Sequence, residues 1–105
     1  MVLKTTQATD IKNRAGALVN EASNLAGQAR AKQQRAGRPV PEYPLPDAKE
    51  AIHAAMEAEH YAGMVILHDL PRDKDLAERC LTNAKAHIAH AEKSLLAAKA
   101  ALARM

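Results

Sequence analysis

Histidine and glutamate side chains recur in the middle of the chain, and these residue types can bind a metal ion. His53, Glu57 and His60 follow one another at steps of four and three, so a helix would place them on successive turns of one face. Glu57 and His60 have the Glu-x-x-His spacing of carboxylate-bridged di-iron bundles. His87 and His90 would reach the same height in a helical hairpin that turns near residue 72. Imidazole and carboxylate bind zinc, nickel, copper or iron, so these five residues define a metal-site hypothesis.

Two observations oppose that hypothesis. The histidines lie far around their helices from the apolar stripes, so equal height does not bring them face to face. The later helix also has no second Glu-x-x-His motif. Phosphate-binding glycine loops, paired cysteine motifs and nucleophile elbows do not occur, and Cys80 is interpreted as a small buried hydrophobe. We therefore predict that the protein is not an enzyme and needs no cofactor, with a His/Glu metal site as an alternative.

Alanine and larger apolar residues alternate at steps of four and three in three stretches, and this heptad pattern predicts the fold. The last stretch contains Ala77, Leu81, Ala84, Ile88, Ala91, Leu95, Ala98 and Leu102. The first contains Ala8, Ile11, Ala15, Leu18, Ala22, Leu25 and Ala29. The middle one contains Ala48, Ile52, Ala55, Glu59, Ala62 and Ile66. We predict an all-α fold, an elongated antiparallel three-helix bundle with Ala/Leu heptad seams.

Turn and cap signals divide the predicted single domain, residues 1–105, into elements. Gly37 stands where a left-handed helix cap is expected, and Pro39 prevents the first helix from continuing. Asp47 and Glu50 have the acid-x-x-Glu spacing of a capping box at the start of the second helix. The predicted elements are a helix over 6–36, a Pro-rich linker over 37–46, a helix over 47–70 and a helix over 73–104.

The prolines of the linker predict a stiff, extended strap along the bundle. Tyr43 and Leu45 are expected to pack back onto the helices from this strap. Arg38, Pro41 and Pro44 also fit a ligand pattern for SH3-like grooves, which is an alternative interpretation.

Polar residues and glycines interrupt the seams. Glu59 falls within the apolar arc of the second helix, where a carboxylate must be paired, protonated or at the edge of an incomplete core. An assembly contact is the alternative for Glu59. Lys32 falls on a large-aliphatic position, and we interpret it as solvated beyond the end of the bundle. Gly16 and Gly27 each cost about 1 kcal/mol inside a helix, which indicates either local tolerance or the close approach of a second helix.

The composition predicts a thin core. Hydrophobic residues make up 48% of the chain, but 24 of them are alanine, and phenylalanine and tryptophan do not occur. Burying an alanine methyl contributes much less than the roughly 1.5–3 kcal/mol of a large aliphatic side chain. We therefore expect that a partner completes the core, either another protein or a second copy of the chain.

The net charge of +3 is concentrated in the first half of the chain. Four cations end the first helix: Arg30, Lys32, Arg35 and Arg38. One interpretation is that they interact with the C-terminal carbonyl groups of that helix. The alternative is a basic patch for nucleic acid or for an acidic protein surface, to which Lys12 and Arg14 would add.

These observations favour a non-enzymatic small helical interaction protein, an adaptor, inhibitor, regulator or self-assembling subunit that acts by protein–protein contacts. A nucleic-acid-binding accessory protein that uses the basic first helix is the alternative. The predicted partner-binding residues are Arg30, Lys32, Arg35, Arg38, Tyr43 and Glu59. A single cysteine, and residues 1–10 without an apolar leader, predict a cytoplasmic protein without a membrane partner.

Overall fold

Three helices form nearly all of the chain that the computed structural model describes, which is residues 3–39, 45–68 and 74–105. The helices are α1 (Leu3–Arg35), α2 (Pro46–His68) and α3 (Lys74–Ala103). The described residues contain no strand. The predicted helix boundaries are thus close to the observed ones, except that α1 begins three residues earlier than expected. The boundaries predicted at residues 70 and 73 lie outside the described residues.

Each helix packs against the other two, and the molecule is a rod with principal extents of 58 × 19 × 15 Å. The ion pairs Arg14–Glu92 and Glu21–Lys99 join α1 to α3 with an equal offset, so these two helices run in the same direction. α2 runs antiparallel to both, because its contacts Glu50–His90 and Tyr61–His87 reach earlier residues of α3 as the α2 number rises. The predicted elongated antiparallel three-helix bundle is therefore confirmed.

The predicted seams of α1 and α3 form the core. Every seam residue of these two helices is buried except Ile11 and Ile88, which are half-buried. Most of the buried positions are alanine, and the largest side chains without any exposed surface are Leu18 and Val65. Alanine can pack in this way because its methyl group allows two helix backbones to approach closely.

The predicted seam of α2 needs a correction. Its alanines Ala48, Ala55 and Ala62 are buried as predicted, but the other fully buried positions are Ala51, Ala58 and Val65 instead of Ile52, Glu59 and Ile66. Glu59 and Ile66, which belonged to the predicted seam, are exposed. The physical reason is that α2 packs against both α1 and α3, so the centre of its buried arc lies between the two contacts. Glu59 is therefore in contact with water and needs no buried partner.

The cap at the end of α1 agrees with the prediction, whereas the cap at the start of α2 differs from it. Gly37 has a φ of 71°, and the Gly37 and Arg38 N–H groups donate to Gln34 O and Gln33 O, each at 3.1 Å. This pair of bonds is a Schellman cap. At the start of α2, Leu45 O accepts the first helical bonds, so Pro46 is the first helical residue and Asp47 lies inside the first turn instead of capping it.

The linker and the end of α1 both lie against the bundle where the structure describes them. Leu45 is buried in the core, as expected for a strap that packs back, whereas Tyr43 lies outside the described residues. Lys32 is exposed, but α1 does not overhang the bundle there, because Lys32 Nζ donates to Leu102 O of α3 at 3.4 Å. The amine thus satisfies a carbonyl group at the end of the neighbouring helix.

Candidate interaction surface

The apolar arc of α2 is wider than the part that the bundle covers. Met56 and Leu67 expose 57% and 70% of their surface, and Ile66 exposes 40%. Because α1 and α3 cover only one side of α2, these large side chains remain in contact with water. A helix that is apolar over more of its circumference than its neighbours cover has surface left for another contact.

We name the shallow cleft beside these residues the α1/α2 groove. It is lined by Lys12 of α1 and by Met56, Glu59, His60, Gly63, Met64 and Leu67 of α2. Met56, Gly63 and Leu67 follow one another at steps of seven and four, so they form one stripe along α2. The groove therefore combines an apolar stripe with polar side chains.

The groove contains charges of opposite sign. Lys12 and Glu59 are both exposed, and within the described part of the chain neither of them forms an ion pair. The ion pairs that join α1 to α3 lie elsewhere on the rod. Both side chains thus remain available to a molecule that enters the groove.

Leu96 provides a useful comparison on α3. It exposes 66% of its surface, almost as much as Leu67. However, Leu96 does not line the α1/α2 groove. Single exposed leucines are common on soluble proteins, so Leu96 by itself indicates nothing.

The histidines of α2 and α3 pair separately with other side chains. His90 Nε2 donates to Glu50 Oε1 at 2.9 Å, and the ring of His87 stacks on Tyr61 with centroids 5.4 Å apart. The hydrogen bond from His90 lowers the pKa of the Glu50 carboxyl below its ordinary value. Both contacts connect α2 to α3.

The predicted metal ligands do not form a site. His53, Glu57 and His60 are exposed, and the described residues contain no group of three or more His, Cys, Asp or Glu side chains placed to hold a metal ion. The five side chains are spread over different surfaces, since His60 lines the α1/α2 groove. His87 and His90 are instead engaged with Tyr61 and Glu50.

A second cleft lies at the opposite end of the rod and is basic. It is lined by Lys32, Gln33, Ala36, Arg38, Arg104 and Met105. Arg104 directly follows α3, so the cleft brings together cations from the ends of two helices. Within the described residues, the buried Gln33 Oε1 accepts no hydrogen bond. Arg30 and Arg35 are exposed on the same part of α1 but do not line this cleft.

Comparisons with protein-family models, with curated proteins and with solved structures find no match to this chain. None of the described helices combines the length and the apolar character that crossing a membrane requires.

Sequence reasoning missed most of the groove. It selected Glu59 but not Met56, Gly63 or Leu67, because the heptad seam predicted for α2 does not include these three residues. One signal was present in the sequence. The small apolar residues of α2 can form the core by themselves, so two neighbouring helices leave part of its apolar arc uncovered. Arg104 was missed because the predicted bundle brings the ends of α1 and α3 to one end of the rod, but helical periodicity does not show which side chains there face a common cleft.

Proposed function

We propose that this protein is a non-enzymatic helical interaction protein that works through protein–protein contacts. The observation that carries the proposal is the α1/α2 groove, where Met56 and Leu67 are more than half exposed on one face of α2. Clustered exposed apolar side chains beside charged ones are typical of protein interaction sites. An adaptor, an inhibitor or a self-assembling subunit would use such a surface.

The energetics suit a modest, reversible contact. Covering the exposed parts of Met56 and Leu67 would contribute about 1–2 kcal/mol each, since full burial of such a side chain is worth roughly 1.5–3 kcal/mol. Association also has an entropic cost of several kcal/mol. A partner must therefore cover more of the groove than these two residues, and the charges of Lys12 and Glu59 would select its orientation.

Site-specific photo-cross-linking in the cells that produce the protein tests this function. A photoreactive amino acid replaces Leu67 in one version of the chain and Leu96 in the other, because both leucines are about equally exposed. We expect protein adducts from position 67 and not from position 96. If position 67 gives no protein adduct at native expression levels, or both positions give the same adducts, the proposal is refuted.

Nucleic-acid binding is the second candidate function, supported by the basic cleft. Lys32, Arg38 and Arg104 line it together, and three phosphate contacts would make the logarithm of the binding constant for duplex DNA fall with a salt slope of about −2.7. Arg38→Ala should reduce that slope by about 1, whereas the exposed Arg79 of α3 provides a matched Arg→Ala control. An absence of duplex binding at low salt would exclude this function.

The cytoplasm is the proposed location. Its support is Cys80, the one cysteine of the chain, which is a buried free thiol. Detection of the protein in a fraction that contains oxidised secreted proteins would contradict it.

A further inference from the structure

The α2 residues along the α1/α2 groove have a palindromic spacing, which is the same from either end of the helix. Met56, His60, Gly63 and Leu67 follow one another at steps of four, three and four. When two such helices pair antiparallel around a two-fold axis, Met56 of one copy faces Leu67 of the other. His60 then faces Gly63, so a large side chain lies opposite a residue without one. This self-complementarity is what a two-fold interface requires.

Gly63 resembles Gly16 and Gly27 in having no intrachain contact that requires a glycine, but it differs from them in lining the α1/α2 groove. A Cβ atom added at Gly63 would meet no heavy atom within 4 Å. A glycine in the middle of a helix costs about 1 kcal/mol relative to alanine, and no intrachain contact of this position requires the cost. Its position between Met56 and Leu67 is explained if another helix approaches α2 closely from outside, since a glycine without a Cβ atom permits close approach of two backbones.

The charges of the groove fit the same arrangement. The two-fold axis of an antiparallel pair is perpendicular to the plane that contains the two α2 helices. It therefore places α1 of both copies on the same side of that plane. Lys12 of one copy then lies near Glu59 of the other, and the symmetry produces this pair twice. Both side chains are exposed in the single chain. Exposed pairs of this kind contribute little affinity, but they favour one register over its alternatives.

The surface area of the rod is large enough for this pairing. The chain exposes 6603 Å², whereas a compact monomer of 11.3 kDa exposes about 5,700 Å². The excess of about 900 Å² follows from the elongated shape of the rod, which leaves room for the roughly 800 Å² that each partner contributes to an interface of standard size. From the spacing, the glycine, the charges and the area together, we propose that a second copy of this chain occupies the α1/α2 groove, with α2 antiparallel on α2.

This inference rests on the proposed function and names the partner. Analytical ultracentrifugation of the purified full chain tests it over concentrations from about 1 μM to about 1 mM, a range that covers weak to moderate association. We expect a monomer–dimer equilibrium. Leu67→Lys should raise the dissociation constant at least tenfold, because the substituted residue occurs twice in the interface. Leu96→Lys, with the same chemical change at similar exposure, should leave it unchanged.

Two further variants examine the geometry. Gly63→Leu should also abolish the dimer, because its side chain fills the space opposite His60. Lys12→Glu should weaken the dimer, and adding Glu59→Lys should restore it. Circular dichroism must be used to check that each variant is folded. A monomer at every concentration, a dimer indifferent to Leu67→Lys, or equal losses for Leu67→Lys and Leu96→Lys would overturn the inference.

The cross-linking experiment separates this inference from the function on which it rests. Adducts at position 67 with a different protein, combined with a monomeric purified chain, refute the second copy and leave the interaction function in place. The absence of both adducts and dimer refutes both. Adducts that consist of the chain itself, together with the effect of Leu67→Lys, support both.

Discussion

Replacing a core alanine with leucine tests whether the seams are as closely packed as the structure indicates. Ala91 of α3 has no exposed surface and belongs to the core cluster that contains Leu18 and Leu95. Leucine adds three carbon atoms at this position. In a loosely packed seam those atoms would be buried at a gain of about 0.8 kcal/mol each. In a tightly packed seam they force the helices apart at a cost of about 1–3 kcal/mol. The change in the free energy of unfolding therefore has opposite signs in the two cases.

We expect Ala91→Leu to lower the free energy of unfolding by about 1–3 kcal/mol. For a domain of this size that corresponds to a fall in Tm of roughly 4–8 °C for each kcal/mol. Thermal and urea unfolding followed by circular dichroism measure the change. Ala89→Leu is the matched control, because Ala89 is exposed only two residues away. The control should change stability by no more than about 0.5 kcal/mol.

Both variants must be compared with the original chain at one protein concentration, since association would itself raise the apparent stability. Unchanged or increased stability of Ala91→Leu would refute the close packing of the seams. Equal destabilisation by Ala91→Leu and Ala89→Leu would do so as well, because the effect would then not depend on burial.

Further predictions concern two glycines and one ion pair. Gly27→Ala should stabilise the chain by about 0.5–1 kcal/mol in urea unfolding, since an added Cβ meets no heavy atom within 4 Å. Gly37→Ala should destabilise the chain, because φ at Gly37 is 71°. A change in stability of the same sign for both variants would contradict this reasoning. Glu50 has a lowered pKa because of its hydrogen bond with His90, so its contribution is complete above the ordinary value of 4.5 and is lost as the pH falls through the lowered pKa. Urea midpoints from about pH 6 to about pH 3 should therefore converge between the original chain and Glu50→Gln, and a constant difference would argue against the ion pair.

The amino-acid sequence determined the local structure and much of the core. The steps of four and three fixed which residues share a face of each helix, because each residue advances the helix by about 100°. Ala84, Ala91 and Ala98 are accordingly buried as predicted. Gly37 fixed the end of α1, because glycine adopts a positive φ without the steric cost of a Cβ atom.

The tertiary structure alone decided which part of each apolar arc became surface. α2 has apolar residues over a wide arc, and the positions of α1 and α3 determine that Ala58 and Val65 are buried while Met56 and Leu67 are exposed. Helical periodicity gives the angle of a residue on its own helix, but not the direction from which a neighbouring helix approaches. For the same reason, only the packed bundle brings Arg104 to the basic cleft at the end of α1.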